Sequence, residues 1–449
     1  MDSRRPIFAE LSLVPEGANP VVFDTRGVLK SITVEVLSSS AVKGNVSLFD
    51  PAFTRIESIL VATSGSRKIR LRFGWEEDAP PAGNVPTFYG TITEYQPGFA
   101  VEGLSLSLDF IGTAMLLQAL DKKPEKRAWP EGTVVSQIVR DLATSFGWAT
   151  EDVFDGRTTP TVETTDGVTD TALGINDESA FKFIQDTLIK RAVNSRGEGY
   201  YAHLDDTRTP AVIHFHSENF LTSAGPVGQS AAHRFVFARG QPSRVQSFEV
   251  AETGIFQALL GAKGGEYESN DSVDGTRVRG EGAKPGDEAK KGLAKDHRLL
   301  PDEVSLPAPL ATGTVKSRRP IIARDDAEMV RQAQAIISRT IEHAVKATLK
   351  VIGTHDVRVF DLVEVVYQTP SVSESVQAHY LSGVYTCHGV SHDFGSGGWT
   401  TTLKMLRRGG LATGGPGRDA RVDGKRVAVS LPASDGGAGG SVGVLKGVG

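Results

Sequence analysis

The sequence predicts a mainly β protein with an α+β insertion between two β regions and a Gly-rich C-terminal tail. Three observations carry this. Short runs of Val, Ile, Thr and aromatic residues, several alternating apolar and polar, fill residues 1–121 and return in 239–408. Between them, residues 122–238 hold two stretches with apolar residues at helical spacing. From Gly409 onward, Gly supplies 13 of 41 residues and aromatics are absent, so residues 409–449 cannot build a core of their own.

In order along the chain, "PVVFDT", "LKSITVEVLSS", "GNVSLFD", "RKIRLRFGW", "FYGTITEYQPGF" and "GLSLSLDFIG" read as strands. Gly, Pro and Asp punctuate them, and one buried face suits a barrel or a sandwich. After Asp121 a charged, Pro-bearing linker leads into "TVVSQIVRDLATSFGW". There Val134, Val135, Ile138, Val139, Leu142 and Phe146 share a helical stripe, with Thr133 as N-cap and Gly147 as stop. A second helix spans about 178–193, capped by Asp177, with Phe181, Ile184, Leu188 and Ala192 inward. "GEGYYAHLDD" and "PAVIHFHSE" follow as strands, and β character resumes at 243–268. Residues 269–323 mix Gly, Pro, Lys, Asp and Glu without period and read as a long excursion. Asp325 or Asp326 opens a helix to about Lys346, and four strands close the region at 408.

Composition excludes several classes of function. The 449 residues are 39% hydrophobic and 23% charged, as in a globular protein. A net charge of −5 gives no basic face for nucleic acid. No apolar run reaches the ~18 residues of a membrane span. The N-terminus lacks the apolar segment of a secretory signal, and a reducing cytoplasm is the expected place of folding. One cysteine rules out an intrachain disulfide and a multi-cysteine zinc site.

That cysteine sits in "LSGVYTCHGVSHDFGSGGWTTTLKMLRR" (381–408), beside His388 and just before His392 and Asp393. Strand alternation sends Cys387 to one face with Tyr385 and Ser391, and His388 to the other with Val390 and His392. Cys387 and His388 therefore do not form a thiolate–imidazole pair. His388 and His392 lie roughly 13 Å apart along a strand, too far for one zinc with ligands at ~2.0–2.1 Å. In "IHFHSE", His214, His216 and Glu218 share one face and have the spacing of a metal triad. The reading preferred is an exposed polar strand face, with no metal and no cofactor. No phosphate loop, kinase signature or nucleophile elbow is present.

An internal echo points elsewhere. "FYGTITEYQPGFAVEGLSLSLDFIG" (88–112) and the 381–408 segment share a plan of strand, Gly-bearing turn and second alternating strand, which suggests a duplicated β unit. The serial order then resembles the baseplate hub proteins of contractile phage tails. That group includes the late-control D family and the hub part of type VI secretion spike proteins. The resemblance runs over about 1–408. It rests on the helix "ESAFKFIQDTLIKRA", the strand "GYYAHLD", the segment "AEMVRQAQAIISRT…ATLKVIGTHDVRVFDLVEVVY" and the closing hairpin. Gly383, Tyr385, Val390 and His392 fall on the hairpin's first strand motif, and Thr401, Leu403, Leu406 and Arg407 near its second.

The resemblance implies two tube-like β-barrel domains, 1–121 and 239–408, flanking a small α+β domain at 122–238. The 269–323 excursion and the 409–449 tail depart from the family pattern. It also implies a structural role without enzymatic activity. The chain would form a homotrimer that joins a hexameric tail tube, or its initiator, to a trimeric central spike, with the tape measure protein as a further partner. The location implied is the virion tail baseplate, assembled in the host bacterial cytoplasm. Within the tail, Val427, Val429 and Leu431 share a face of one short strand that is expected to add to the spike or a neighbouring copy. The rival readings are a hub-associated cell-wall-degrading enzyme and a carbohydrate-binding tail protein.

Overall fold

The computed structural model describes residues 7–14, 20–25, 27–65, 67–76, 85–112, 128–154, 157–165, 169, 172–175, 179–192, 199–208, 210–217, 233–238, 243–252, 265–270, 277–281, 315–321, 345–370, 376–378, 382–395, 398–409, 419–422, 425–430 and 444–447. The chain is mainly β, with few helices.

The first region holds β1 (Ile7–Leu13), β2 (Val21–Asp24), β3 (Leu29–Leu37), β4 (Lys43–Asp50), β5 (Lys68–Trp75), β6 (Phe88–Ala100) and β7 (Gly103–Gly112). Alternate residues are buried, as in Ile32, Val34, Val46, Leu48, Leu104, Leu106 and Leu108, and they form a first core. A helix, α1 (Arg55–Gly65), stands where the sequence reading has only β. The Asp50 carboxylate accepts from the backbone N–H groups of Arg55 and Ile56 and starts it. Ile56 and Ile59 fix it to the core.

The insertion holds α2 (Val135–Phe146), α3 and short strands and bridges around a second core. The strands are β8 (Ala128–Trp129), β9 (Glu151–Phe154), β10 (Arg157–Pro160), β11 (Leu173–Gly174), β12 (Tyr200–Asp205) and β13 (Val212–Ser217), with an isolated bridge from Val162 to Phe215. Of the expected α2 stripe, Val135, Ile138, Val139 and Leu142 are buried and Val134 and Phe146 are half-buried, and Gly147 closes the helix at φ 68°. Its N-cap is Val134; Thr133 instead donates to the Pro130 carbonyl. α3 runs from Ala180–Phe183 through a π-helical turn, Ile184–Leu188, to Ile189–Arg191. Its cap is Ser179, which accepts from the Lys182 N–H, rather than Asp177. Phe181, Ile184, Leu188 and Ala192 are buried.

The later strands are β14 (His233–Ala238), β15 (Val245–Glu252), β16 (Gly265–Asn270), β17 (Arg277–Glu281), β18 (Val315–Ile321), β19 (Val345–Ile352), β20 (Leu362–Pro370), β21 (Val376–Ala378), β22 (Gly383–Gly395), β23 (Gly398–Gly409), β24 (Asp419–Val422), β25 (Lys425–Ser430) and β26 (Val444–Gly447). Leu349, Val351, Val363, Tyr385, Leu403 and their neighbours form a third core. The 269–323 excursion is not structureless, since β16, β17 and β18 make a three-stranded sheet. The helix expected over 325–346 lies outside the described residues, except that Val345 and Lys346 open β19. In the tail, β25 is not a lone strand; it is the centre of a three-stranded sheet between β24 and β26. Both its edges are used within the chain, and Leu431 lies outside the described residues.

The two β regions are joined. One sheet runs β15-β19-β23-β22-β3-β4-β7-β6-β5-β1-β2, with β14, β20 and β21 branching from it. β22 supplies the joint: its first part pairs with β20 and its last seven residues, Gly389–Gly395, pair with β3. Phe394 and Trp399, from the end of the chain, thereby enter the first core.

Candidate functional site

Four residues that the sequence singles out, His214, His216, Cys387 and His388, meet at a seam between the insertion and the sheet. In the β12–β13 ladder His203 faces His214 and Tyr201 faces His216. Directly opposed and i, i+2 residues share a face, so these four rings stand together. The other face sends Tyr200, Ala202, Leu204, Ile213 and Phe215 into the second core. Against the histidine face lies Phe360, from the loop between β19 and β20. Its ring is 4.8 Å from His216, 6.0 Å from His203 and 5.6 Å from His388 of β22. Phe360 holds φ at +72°, a conformation that costs a non-Gly residue about 1–2 kcal/mol. Its N–H donates to the Cys387 carbonyl, and the Cys387 N–H donates to the Asp361 carbonyl, which ties the loop to β22.

The same loop reaches the first core at its other end. His355 Nε2–H donates to the Phe73 carbonyl at 2.6 Å, and its ring lies 4.5 Å from Trp399 and 4.9 Å from His392. Trp75 Nε1–H donates to the Gly353 carbonyl. Asp361 accepts from His233 Nε2 and from the Arg358 N–H. Seven of the ten histidines thus gather on one loop and its neighbours: His203, His214, His216, His233, His355, His388 and His392.

Burial keeps the core of this seam uncharged. It lowers His214 to about 3, helped by the neighbouring His216 and His203, against the pull of Asp205. Burial lowers His216 to about 4, although the Ser217 carbonyl favours its charged form. Burial lowers His355 to about 4, opposed by the Phe73 carbonyl and Asp356. His203 is lowered by burial despite Asp205, and His392 falls well below its usual value through burial and His355. Thr401 Oγ1 donates to the Thr354 carbonyl, so His392 Nδ1–H is the donor in the His392–Thr401 bond.

The arrangement corrects two readings. His214 and His216 do share a face, but that face packs into a joint, with His216 buried and His214 half-buried, rather than standing exposed to water. Glu218 lies outside the described residues, and among the described residues no three His, Cys, Asp or Glu side chains are grouped to hold a metal ion. Cys387 and Val390, expected on opposite faces, both enter the third core because a β-bulge between Cys387 and Gly389 reverses the alternation. Burial, with Asp361 nearby, pushes the Cys387 thiol well above its usual range. We therefore expect Cys387 in the folded chain to resist alkylation by iodoacetamide at neutral pH and to react only in denaturant. Rapid labelling of the native chain would contradict this burial.

A second feature lies outside the seam. The β6–β7 hairpin extends beyond β5 and carries Tyr95, Phe99 and Val101 into solvent.

No protein-family model matches this chain, and no curated protein matches it. Solved structures do. A tail protein from Neisseria meningitidis MC58 aligns with a TM-score of 0.53 at 10% identity, over 91% of this chain and 98% of its own. A 43 kDa tail protein of prophage MuSo2 from Shewanella oneidensis aligns with a TM-score of 0.51 at 12% identity, over 89% and 98%. The chain has the fold of phage tail proteins. The likeness spans nearly the whole of each structure, so the two β regions and the insertion between them belong to that fold together.

Proposed function

We propose that the chain is a structural hub of a phage tail or a related contractile injection particle. Three copies would form an adaptor between a hexameric tail tube and a trimeric central spike, in the tail baseplate of the virion. The observation that carries this reading is the duplicated β unit. One chain holds the same five-stranded arrangement twice, so three chains present six similar units around an axis. That is the geometry needed to meet six subunits on one side and three on the other. Residues 1–121, 122–238 and 239–408 are proposed as the first unit, the insertion and the second unit. The tail sheet β24–β26 is the proposed contact to the spike, through the face that carries Val427 and Val429. The role requires surface complementarity between copies and no covalent chemistry.

Light scattering of the purified chain, alone and mixed with the spike protein encoded beside it, tests this reading. A trimer, or a monomer that becomes a 3:3 complex with the spike, is the expected result. A chain that stays monomeric with both would overturn it.

A further inference from the structure

The loop between β19 and β20, residues 353–361, touches three bodies at once. At one end Trp75 Nε1–H donates to the Gly353 carbonyl and His355 donates to the Phe73 carbonyl, which fixes the loop to β5 of the first β unit. At the other end the Phe360 ring lies against His203, His214 and His216 of the insertion. The bonds from the Phe360 N–H to the Cys387 carbonyl and from the Cys387 N–H to the Asp361 carbonyl anchor it to β22 of the second unit. The insertion does not need this strap for its own fold. Its core lies on the opposite face of the β12–β13 ladder, where Tyr200, Leu204, Ile213 and Phe215 are buried. Phe360 stays at φ +72° only while its surroundings hold it there.

Both ends of the strap rest on imidazoles that are badly placed to carry charge. In His203, His214 and His355 the Nδ1 atom is buried with no hydrogen-bond partner among the described residues. A proton placed there finds no acceptor while the seam is closed, and finds water once it opens. Charging also sets like charges side by side. The rings of His203 and His214 are 5.9 Å apart, those of His214 and His216 5.9 Å, and those of His355 and His392 4.9 Å. The charged groups packed around them are mostly committed elsewhere. On the hairpin, Asp205 favours charge on His203 and His214, but Arg208 opposes it at His214 and is itself held by Asp205 and Asp152 of β9. Asp206 packs on Gly112 at the end of β7, and Glu163 accepts from the Ser217 N–H beside His216. On the loop, Asp356 accepts from Thr354 Oγ1, and Asp361 accepts from His233 of β14 and from the Arg358 N–H. Beside His388, a cleft brings in Asp186 of α3, Lys346 of β19 and Lys404 of β23, the last paired with Glu35.

We propose that residues 353–361 form an acid-released strap. With neutral imidazoles at both ends it clamps the insertion and the first β unit to the second; when those imidazoles take up protons it lifts, and the insertion is freed as an intact body. The release is a local opening that comes before general unfolding, and it does not depend on the proposed hub role. A histidine held at about 4 in the closed seam titrates near pH 6.5 once opened, so each one favours the open state about thirtyfold more at pH 5 than at pH 7.5.

Hydrogen exchange of the full chain, read by mass spectrometry and corrected for the intrinsic pH dependence of amide exchange, tests this. The Phe360 and Cys387 N–H groups, bonded across the strap, report its opening; the Phe215 N–H, bonded to the Thr161 carbonyl within the insertion, reports the second core. Between pH 7.5 and pH 5 the protection of peptides covering Phe360 and Cys387 is expected to fall about thirtyfold or more, while that of the peptide covering Phe215 is kept. Unchanged protection at Phe360 and Cys387 would overturn the strap. Loss at all three positions together would overturn it as well, since that is general acid unfolding. A chain carrying both His214→Gln and His216→Gln cannot charge at these positions and is expected to lose much of the pH response while matching the wild-type protection at pH 7.5. A response as steep as that of the wild-type chain would overturn the role of these imidazoles; the wild-type measurement decides the strap itself even where this variant does not fold.

Discussion

Acidifying the chain from about pH 7.5 to about pH 5 is expected to strip away much of its stability. An imidazole in the unfolded chain titrates near pH 6.5, whereas His216 and His355 are held at about 4 and His214 at about 3 by burial. Below pH 6.5 the unfolded state therefore binds more protons than the folded one, and stability falls with falling pH. The contribution of these histidines is complete above pH 6.5 and is lost progressively, down to about pH 4 for His216 and His355 and about pH 3 for His214. At pH 5 each of the three costs on the order of 2 kcal/mol, a large share of the roughly 5–15 kcal/mol that a folded domain has. Around them stand Asp205 and Arg208 on the β12–β13 hairpin, Asp356 and Asp361 on the loop, and His388 on β22. Asp205, Asp356 and the Ser217 and Phe73 carbonyls favour charged imidazoles here, and burial outweighs them. Urea titrations at pH 7.5, 6 and 5 measure the slope. A midpoint unchanged across that range would contradict the neutral, buried seam.

Trp399→Ala is expected to destabilise the chain by about 3–5 kcal/mol, the usual cost of truncating a buried Trp or Phe. Trp399 comes from β23, yet it lies in the first core, against Phe73 and Trp75 of β5 and His355 of the loop. Its removal opens a cavity where the two β units meet and withdraws a ring that packs on His355. The ring packs directly on Gly353, where even a Cβ would collide with it. The loss should appear as one lowered transition in urea. A change below about 1 kcal/mol would mean that the units are held together elsewhere.

Much of this fold is legible in the strand pattern, because alternation and turn residues are local signals. The apolar stripes of α2 and α3 turn to the second core as their spacing indicates. α1 was hidden because its start depends on Asp50, five residues ahead of its first turn, rather than on an adjacent cap. The repeat was visible in outline, but its register was not, since Gly90 and Gly383, each near the start of its segment, are not equivalent. The register shows Gly90 equivalent to Tyr385, and over 88–112 only Thr91, Phe99, Gly103 and Leu108 keep identical partners. His214 and His216 were correctly placed on one face. Their burial was not legible, because the residue that covers them, Phe360, is far away in sequence and sits at a positive φ that no local pattern announces. The faces of Cys387 and Val390 were misread for a similar reason, since a bulge of one residue inverts every assignment beyond it.

The central claim is that a twofold repeat within one chain becomes a sixfold-like ring in the assembly. Top-view electron-microscope images of the purified oligomer, averaged without imposed symmetry, test it most directly. The account predicts a closed ring of six similar lobes with threefold rotational symmetry. An open filament, or a ring whose lobes do not number two per chain, would contradict it.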